Sequence, residues 1–288
     1  MSNILVTGGA GFVGSNLIKR LVLEQHNVTS IDDYSAGKKE NHHPGVTYID
    51  SHTMYINNDM LPNKYDVVFH LGEYSRIATS FDDIERVWNS NSLGSFKVLE
   101  FCKKHKIKIV YAGSSTKFAA EGTNHSPYTF TKAKTVELIQ NYSTWYNLPY
   151  AICYFYNVFG PGYDSSPVPG YESVISIFEK QWKNNQPLTV CGSGSQRRSF
   201  TYVDDIVDGL IRSWKYEDNI EVQLNNYNDY SILEIATMFE TDIKFIPARP
   251  GDRNNSVSTN NNAREKLNWS TTMDVKDWIL KIKNENYL

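Results

Sequence analysis

The stretch "VTGGAGFVGSNL" (Val6–Leu17) decides the fold. It follows the apolar run Ile4-Leu5-Val6 and leads into a helical pattern. Gly8, Gly11 and Gly14 stand at three-residue spacing, the layout of a turn between a first strand and a first helix. Gly9, Gly11 and Gly14 satisfy the GxGxxG frame equally well, so the sequence leaves two dinucleotide frames open. Their physics is shared: glycines let the backbone approach a pyrophosphate, which rests on a helix N-terminus. About 20 residues on, a second strand ends in Ile31-Asp32-Asp33. A carboxylate there accepts the adenosine ribose hydroxyls and repels a 2′-phosphate, which predicts NAD rather than NADP. Asp50, closing a third strand, is placed to meet the adenine amino group.

Size and composition bound the rest. At 288 residues, the chain makes one large domain or two modest ones. With 40% hydrophobic and 21% charged residues it can bury a real core. A net charge of −3 and a pI near 6.2 argue against a nucleic-acid partner. The lysine-rich stretch Lys103-Lys104-His105-Lys106 reads as a solvated helix end. Cys102, Cys153 and Cys191 are widely spaced with no CxxC, so neither a disulfide framework nor a zinc site is expected. His42, His43 and His52 lack metal-ligand spacing, and no metal is expected. The N-terminus has no basic segment followed by an apolar one. The longest apolar run, Tyr150–Phe159, is too short to span a bilayer. These features predict a protein of the reducing cytoplasm with no membrane partner.

Strands are expected at Asn3–Thr7, Asn27–Asp32, Val46–Asp50, Asp66–Leu71, Lys108–Ala112 and Tyr150–Phe155. Several are nearly continuous apolar runs, as strands buried on both faces require. Helices are expected at Gly11–Glu24, Ile84–Lys104 and Tyr128–Tyr146. In the last, Val136, Ile139, Tyr142, Trp145 and Tyr146 recur at helical spacing. This alternation predicts an α/β fold, a Rossmann-type doubly wound parallel sheet. Gly160-Pro161-Gly162 and Pro167-Val168-Pro169-Gly170 mark a shift to shorter elements. They include helices at Val174–Trp182, Val203–Lys215 and Tyr230–Phe239 (Ser231 as N-cap) and a strand at Leu188–Cys191. The expected division is a dinucleotide-binding domain over 1–160, with helices returning from the second half. A smaller C-terminal α/β substrate lobe over 161–288 then closes on the sheet's C-terminal edge.

The reaction must come from elsewhere. In "SPYTFTK" (Ser126–Lys132), Tyr128 and Lys132 are four apart and share one helical face. A phenol titrates near 10, too high for a base at neutral pH. A neighbouring ammonium and an oxidised nicotinamide both favour the phenolate. The strand before it ends in "YAGSST" (Tyr111–Thr116), whose hydroxyls could hold a substrate oxygen beside that phenol. A Ser/Tyr/Lys set suits reversible oxidation of an alcohol.

Here the chain resembles the extended short-chain dehydrogenase/reductases, specifically the NAD-dependent sugar-nucleotide epimerase/dehydratase family. Nearly the whole length carries the likeness: "TGGAGFVGSNL", "DDYSAGKKEN", "VVFHLG", "NSNSLGS", "YAGSST", "YTFTK", "YFYNVFGPG", "RRSFTYVDDIVDG", "RPGD" and "NNAREKLNW". The resemblance implies Tyr128 as catalytic base, Lys132 as its tuner and ribose ligand, and Ser114 as the hydroxyl beside the substrate oxygen, with Ser115 its nearest competitor. It implies NAD contacts from Gly8, Gly11, Phe12, Val13, Gly14, Asp32, Asp33, Ser35, Gly37, Asp50, Ser51, Leu71, Gly72, Glu73, Asn91, Ala112 and Phe155. For a nucleotide-sugar substrate it implies Asn157, Arg198 and Arg249 on the diphosphate, guanidinium forks being well suited to phosphate. Thr189 and Cys191, on the strand Leu188–Cys191, lie along the nucleotide base, and Asp252 either orients Arg249 or caps a turn. It also implies a homodimer formed by the two long helices. Their aromatics Phe96, Tyr142 and Trp145 fit either that interface or the chain's own core.

Departures from the family pattern bear on the reaction. Lys117-Phe118-Ala119 replaces a Val-Tyr-Gly-like turn, the segment from there to Tyr128 is short, and Ser199 replaces a frequent Asp. Glu73 stands where small alanines are common. The family's dehydratases carry an Asp-Glu pair where Ser115 and Thr116 stand here, and hydroxyls do not relay protons as carboxylates do. Asp32 disfavours NADPH reductases, and no lysine between Gly162 and Glu179 offers a second base for a heptose 6-epimerase. The remaining expectation is a UDP-sugar 4-epimerase acting through a transient 4-keto sugar. A UDP-glucuronate decarboxylase or epimerase is the alternative within the family. A catalytically silent NAD-binding sensor or scaffold is the alternative of another class.

Overall fold

The computed structural model describes residues 1–61, 64–120, 122–162, 172–248 and 255–285. Seven of its strands form one parallel sheet. They are β1 (Asn3–Thr7), β2 (Asn27–Asp32), β3 (Thr47–Asp50), β4 (Val67–His70), β5 (Lys108–Ser114), β6 (Tyr150–Phe155) and β7 (Ile220–Leu224). Their order is β7-β6-β5-β4-β1-β2-β3, with Ile4 paired to Val28 on one side and Val67 on the other. The chain leaves β1 toward β2 and later returns to β4 on the opposite flank. The strand order therefore reverses between β1 and β4, and a crevice opens at their carboxyl ends.

Helices cover both faces. On one lie α1 (Phe12–Leu23), α6 (Val203–Lys215) and α8 (Asn262–Leu267). Helix α6 presents Val203, Ile206, Val207, Leu210 and Ile211, a stripe one helical face wide, and all five are buried. Each such side chain contributes roughly 1.5–3 kcal/mol before ordering costs. On the other face lie α3 (Ser95–His105) and α4 (Pro127–Tyr146), where Val98, Leu99, Cys102, Val136, Ile139 and Tyr142 pack on the sheet. A separate cluster under the second half joins α5 (Val174–Lys183), α7 (Ile232–Met238) and α9 (Val275–Glu285) through Phe178, Phe239 and Trp278. Ser231 and Glu234 close a capping box at the start of α7.

The second half does more than return helices. β7 pairs with β6 in register Val222 to Cys153 and completes the main sheet, so residues beyond 160 build part of the first half's core. The helix expected over Ile84–Lys104 is three pieces: α2 (Ile84–Val87), a π-helical segment Trp88–Gly94, and α3. The widened π turn carries Asn91, whose side chain brackets the Tyr74 backbone: Oδ1 accepts its N–H at 2.7 Å and Nδ2 donates to its carbonyl at 3.1 Å. Of the three aromatics considered for an interface, Tyr142 is core and donates to Glu100 at 2.6 Å, whereas Phe96 and Trp145 are exposed. No described helix is long and apolar enough to cross a membrane.

Candidate active site

A cavity of about 560 Å³ runs along the carboxyl ends of the strands. Its floor is the glycine turn. Gly8, at φ +74°, sits so close to Gly72 that an added Cβ would lie 2.8 Å from its Cα. A Cβ at Gly14 would stand 2.1 Å from the Gly8 carbonyl oxygen, so Gly14 lets α1 press against the strand end. Gly9 faces Ser30 and Ile18 instead, and Gly8, Gly11 and Gly14 line the cavity. The three-residue spacing is thus the frame whose glycines all line the cavity. The N-cap Gly11 has no side chain to bond the first-turn amides of α1, the arrangement that leaves them for an anion.

The second strand ends where it must. Asp32 is buried; its Oδ2 accepts the Ala10 amide at 2.8 Å and its Oδ1 the Tyr34 amide at 2.9 Å. Burial pushes this carboxyl up from its ordinary value, against those two amides. Asp33, Ser35, Gly37 and Ser51 line the same end of the cavity. Asp50 does not: its carboxylate is exposed and pairs with Lys39 at 3.5 Å. Asp50 pairs in register with Asp32 but stands on the edge strand of the sheet, and the cavity wall there is Ser51-His52-Thr53. Asn91 likewise does not line the cavity, being fully buried behind Tyr74.

The Tyr/Lys pair sits opposite. Ser126 caps α4 by accepting the Thr129 amide at 3.1 Å, and Pro127 takes the first helical position, so Tyr128 falls in the first turn. Among the described residues the Tyr128 hydroxyl makes no hydrogen bond, and the side chain lines the cavity. One turn on, the Lys132 ammonium donates to the Ala112 carbonyl at 2.6 Å and to Glu73, and lies 4.2 Å from the Tyr111 ring centroid. Both competing serines line the cavity, and Ser115 Oγ lies 3.2 Å from Ser256 Oγ. Ser114 Oγ accepts from Thr116 Oγ1 at 3.0 Å, so its own proton is left to give.

On the far side, Asn157 donates to the Ser199 carbonyl at 3.0 Å and lines the cavity with Thr189 and Cys191. The adjacent arginines part company. Arg197 is half-buried and pairs with Asp229 and Glu234, whereas Arg198 is buried and faces the cavity. Arg249 and Asp252 lie outside the described residues. Leu71, Gly72, Glu73, Ala112, Phe155, Phe12 and Val13 complete the expected lining. Sequence reasoning missed the start of α5, Ser173 to Phe178, which lines the far side. It also missed the segment after β4: Tyr74 to Thr79, including Arg76, forms one wall. Its only local signal was the departure at Glu73.

The model of the NAD-dependent epimerase/dehydratase family matches residues 4–228. The chain belongs to that family. A putative UDP-glucose 4-epimerase of Methanocaldococcus jannaschii is 29% identical, the match covering 98% of this chain and 97% of that one. A UDP-N-acetyl-alpha-D-glucosaminuronate decarboxylase of Bacillus cytotoxicus is 29% identical over 81% and 77% of the two chains. Among solved structures, a UDP-N-acetylglucosamine 4-epimerase of Methanobrevibacter ruminantium, in complex with UDP-N-acetylmuramic acid, superposes with a TM-score of 0.88. It is 28% identical, with 100% and 99% of the chains covered.

The family's cofactor is NAD, and the residues present fit it. A Cβ on Gly11 would meet only the Gly8 carbonyl oxygen, at 3.3 Å, and otherwise fill the cradle. Asp32 keeps lone pairs beyond the two amides for ribose hydroxyls, and Lys132 uses two of its three N–H donors within the protein.

Proposed function

We propose that this epimerase/dehydratase family member interconverts a UDP-sugar and its C4 epimer with NAD. The observation that carries the reading is the Tyr128 hydroxyl, unpaired among the described residues and facing the cavity whose floor is the Gly8–Gly14 turn. Gly8, Gly11, Phe12, Val13, Gly14 and Asp32 hold the dinucleotide, and bound there it supplies a reversible hydride acceptor. Tyr128 takes the proton from the sugar's C4 hydroxyl, and Ser114 donates a hydrogen bond to the same oxygen. Lys132 positions the ribose and favours the phenolate. Asn157 and Arg198 hold the diphosphate while the flat keto sugar turns in the cavity. With the other face of C4 turned toward the cofactor site, where the hydride returns to C4, Tyr128 gives its proton back to the C4 oxygen.

The test incubates purified protein with UDP-N-acetylglucosamine, UDP-glucose, UDP-galactose and UDP-glucuronate. An epimer from at least one is expected; none, with NAD bound, overturns the reading. A second reading, action on a UDP-uronate with or without decarboxylation, draws support from Arg76 on the cavity wall, a guanidinium suited to a sugar carboxylate. Release of CO₂ from UDP-glucuronate would select it. The joint presence of Ser114, Tyr128 and Lys132 on one cavity weighs against a silent sensor.

The same reading extends to assembly and place. A homodimer through α2, the π-helical segment, α3 and α4 is supported by Ile84, Trp88, Phe96, Trp145 and Tyr146, all exposed on those elements. Residues 161–288 mainly serve the nucleotide sugar, while lending β7 and α6 to the dinucleotide half. A cytoplasmic setting is supported by three free cysteines, two of them buried.

A further inference from the structure

We propose that Glu73 tunes the catalytic phenol: by pairing with Lys132 it offsets the ammonium's field at Tyr128 and holds that hydroxyl protonated to higher pH than the lysine alone would set. The proposal rests on the reading of Tyr128 as base. It concerns a carboxylate that the proposed reaction itself does not use.

The geometry makes Glu73 a fixed negative charge. Its Oε2 accepts from Lys132, and its Oε1 accepts from Ser95 Oγ at 2.6 Å and Tyr111 OH at 3.2 Å. Behind Ser95 the chain of hydrogen bonds has one direction. Thr7 Oγ1 accepts the amides of Leu71 at 3.1 Å and Gly72 at 3.0 Å, which fills its lone pairs. Its proton therefore goes to Nδ1 of His70, 2.7 Å away. His70 is buried, which pushes its pKa down to about 4 and keeps it neutral. With Nδ1 accepting, its proton sits on Nε2 and is donated to Ser95 Oγ at 2.9 Å, leaving the serine proton for Glu73. Every donor in the chain points at the carboxylate, and the chain ends in the interior at Thr7. It anchors a charge and carries no proton to solvent.

The groups facing this site come from each packed element. Helix α4 supplies Tyr128 and Lys132, and β5 supplies Tyr111, whose phenol burial raises well above its ordinary value. Strand β4 supplies the neutral His70, 3.9 Å from Glu73. The segment after β4 adds Tyr74, with the Arg86 guanidinium 5.5 Å from its ring centroid, and Arg76 on the cavity wall. Lys132 is the cation that ion-pairs with Glu73, and both side chains are almost wholly buried. In a site shielded from water the two charges are felt strongly by a nearby phenol and oppose each other there.

The experiment reads Tyr128 directly. Phenolate absorbance near 295 nm is titrated on the NAD-supplied protein, and each trace is subtracted from that of its Tyr128→Phe counterpart. Glu73→Gln is expected to lower the Tyr128 midpoint by about one pH unit or more, and the acid limb of kcat with it. Lys132→Met alone is expected to raise the midpoint. The double variant Glu73→Gln/Lys132→Met, a neutral pair of similar size, is expected within about half a unit of wild type. An unmoved midpoint in Glu73→Gln overturns the proposal. So does a double variant that rises as far as Lys132→Met, and that comparison decides the matter should Glu73→Gln not fold. Epimerase assays are run in parallel: absence of turnover removes the proposed function, whereas the optical midpoints still answer for Glu73.

Discussion

The ammonium nitrogen of Lys132 lies 2.6 Å from the carbonyl oxygen of Ala112, which ties the first turns of α4 to the carboxyl end of β5. Together with Val136 and Ile139 packed on the sheet, that contact holds the start of the helix in place and with it Tyr128, one turn earlier, at the cavity.

Replacing Tyr128 by Phe removes the base without removing the ring that packs against Tyr74 and Val87. NAD should stay bound, and turnover should fall by about 10²–10⁴-fold. Chromatographic quantification of the epimer checks this, and turnover close to wild type refutes the assignment.

Gly14→Ala places a Cβ 2.1 Å from the Gly8 carbonyl oxygen. Backbone on both sides leaves no flexible side chain to yield, so α1 must shift. A stability loss of about 1–3 kcal/mol or more is expected, with weakened NAD binding. Urea unfolding and NAD titration measure the two effects.

His70 sets a pH dependence. Its folded pKa is lowered to about 4 by burial, below the unfolded value. As pH falls from 7 to 5 the unfolded chain gains a proton that the folded chain refuses, so stability falls by roughly 2 kcal/mol from this group. Above pH 7 the contribution is flat, since both states hold neutral imidazole. Urea midpoints of wild type and His70→Gln at the two pH values should differ in slope by that amount; parallel lines would contradict it.

Trp88 is half exposed on the π-helical segment. If that face is a two-fold interface, Trp88→Glu buries an unpaired carboxylate there and should yield a folded monomer. Light scattering on wild type and variant decides: a wild-type monomer, or a variant that remains dimeric, removes this face as the interface.

Local chemistry was legible because it acts over a few residues. The glycine turn, the strand ending in Asp32 and the Ser126 cap ahead of Tyr128 each depend on neighbours close in sequence. So does the register that puts Lys132 on the face of Tyr128. The π turn at Asn91 was not legible, because periodicity over 84–104 reads the same for a helix with one widened turn. The choice of Arg198 over Arg197 came from the family resemblance alone, since alternation says they point oppositely without saying which way the cavity lies.

From the linear chain alone followed an NAD-binding parallel α/β fold and the Ser114, Tyr128 and Lys132 set that faces its cavity. Short-range sterics and hydrophobic periodicity determine the fold and the shared face of Tyr128 and Lys132, while the family resemblance singled out Ser114. The tertiary structure decided that β7 from the second half completes the sheet. It also decided that Asp50 turns to solvent, that the segment from Tyr74 to Thr79 walls the cavity, and that Glu73 pairs with a lysine 59 positions later. Those are choices among distant partners, made by burial and charge pairing once the sheet is assembled, and no local pattern carries them.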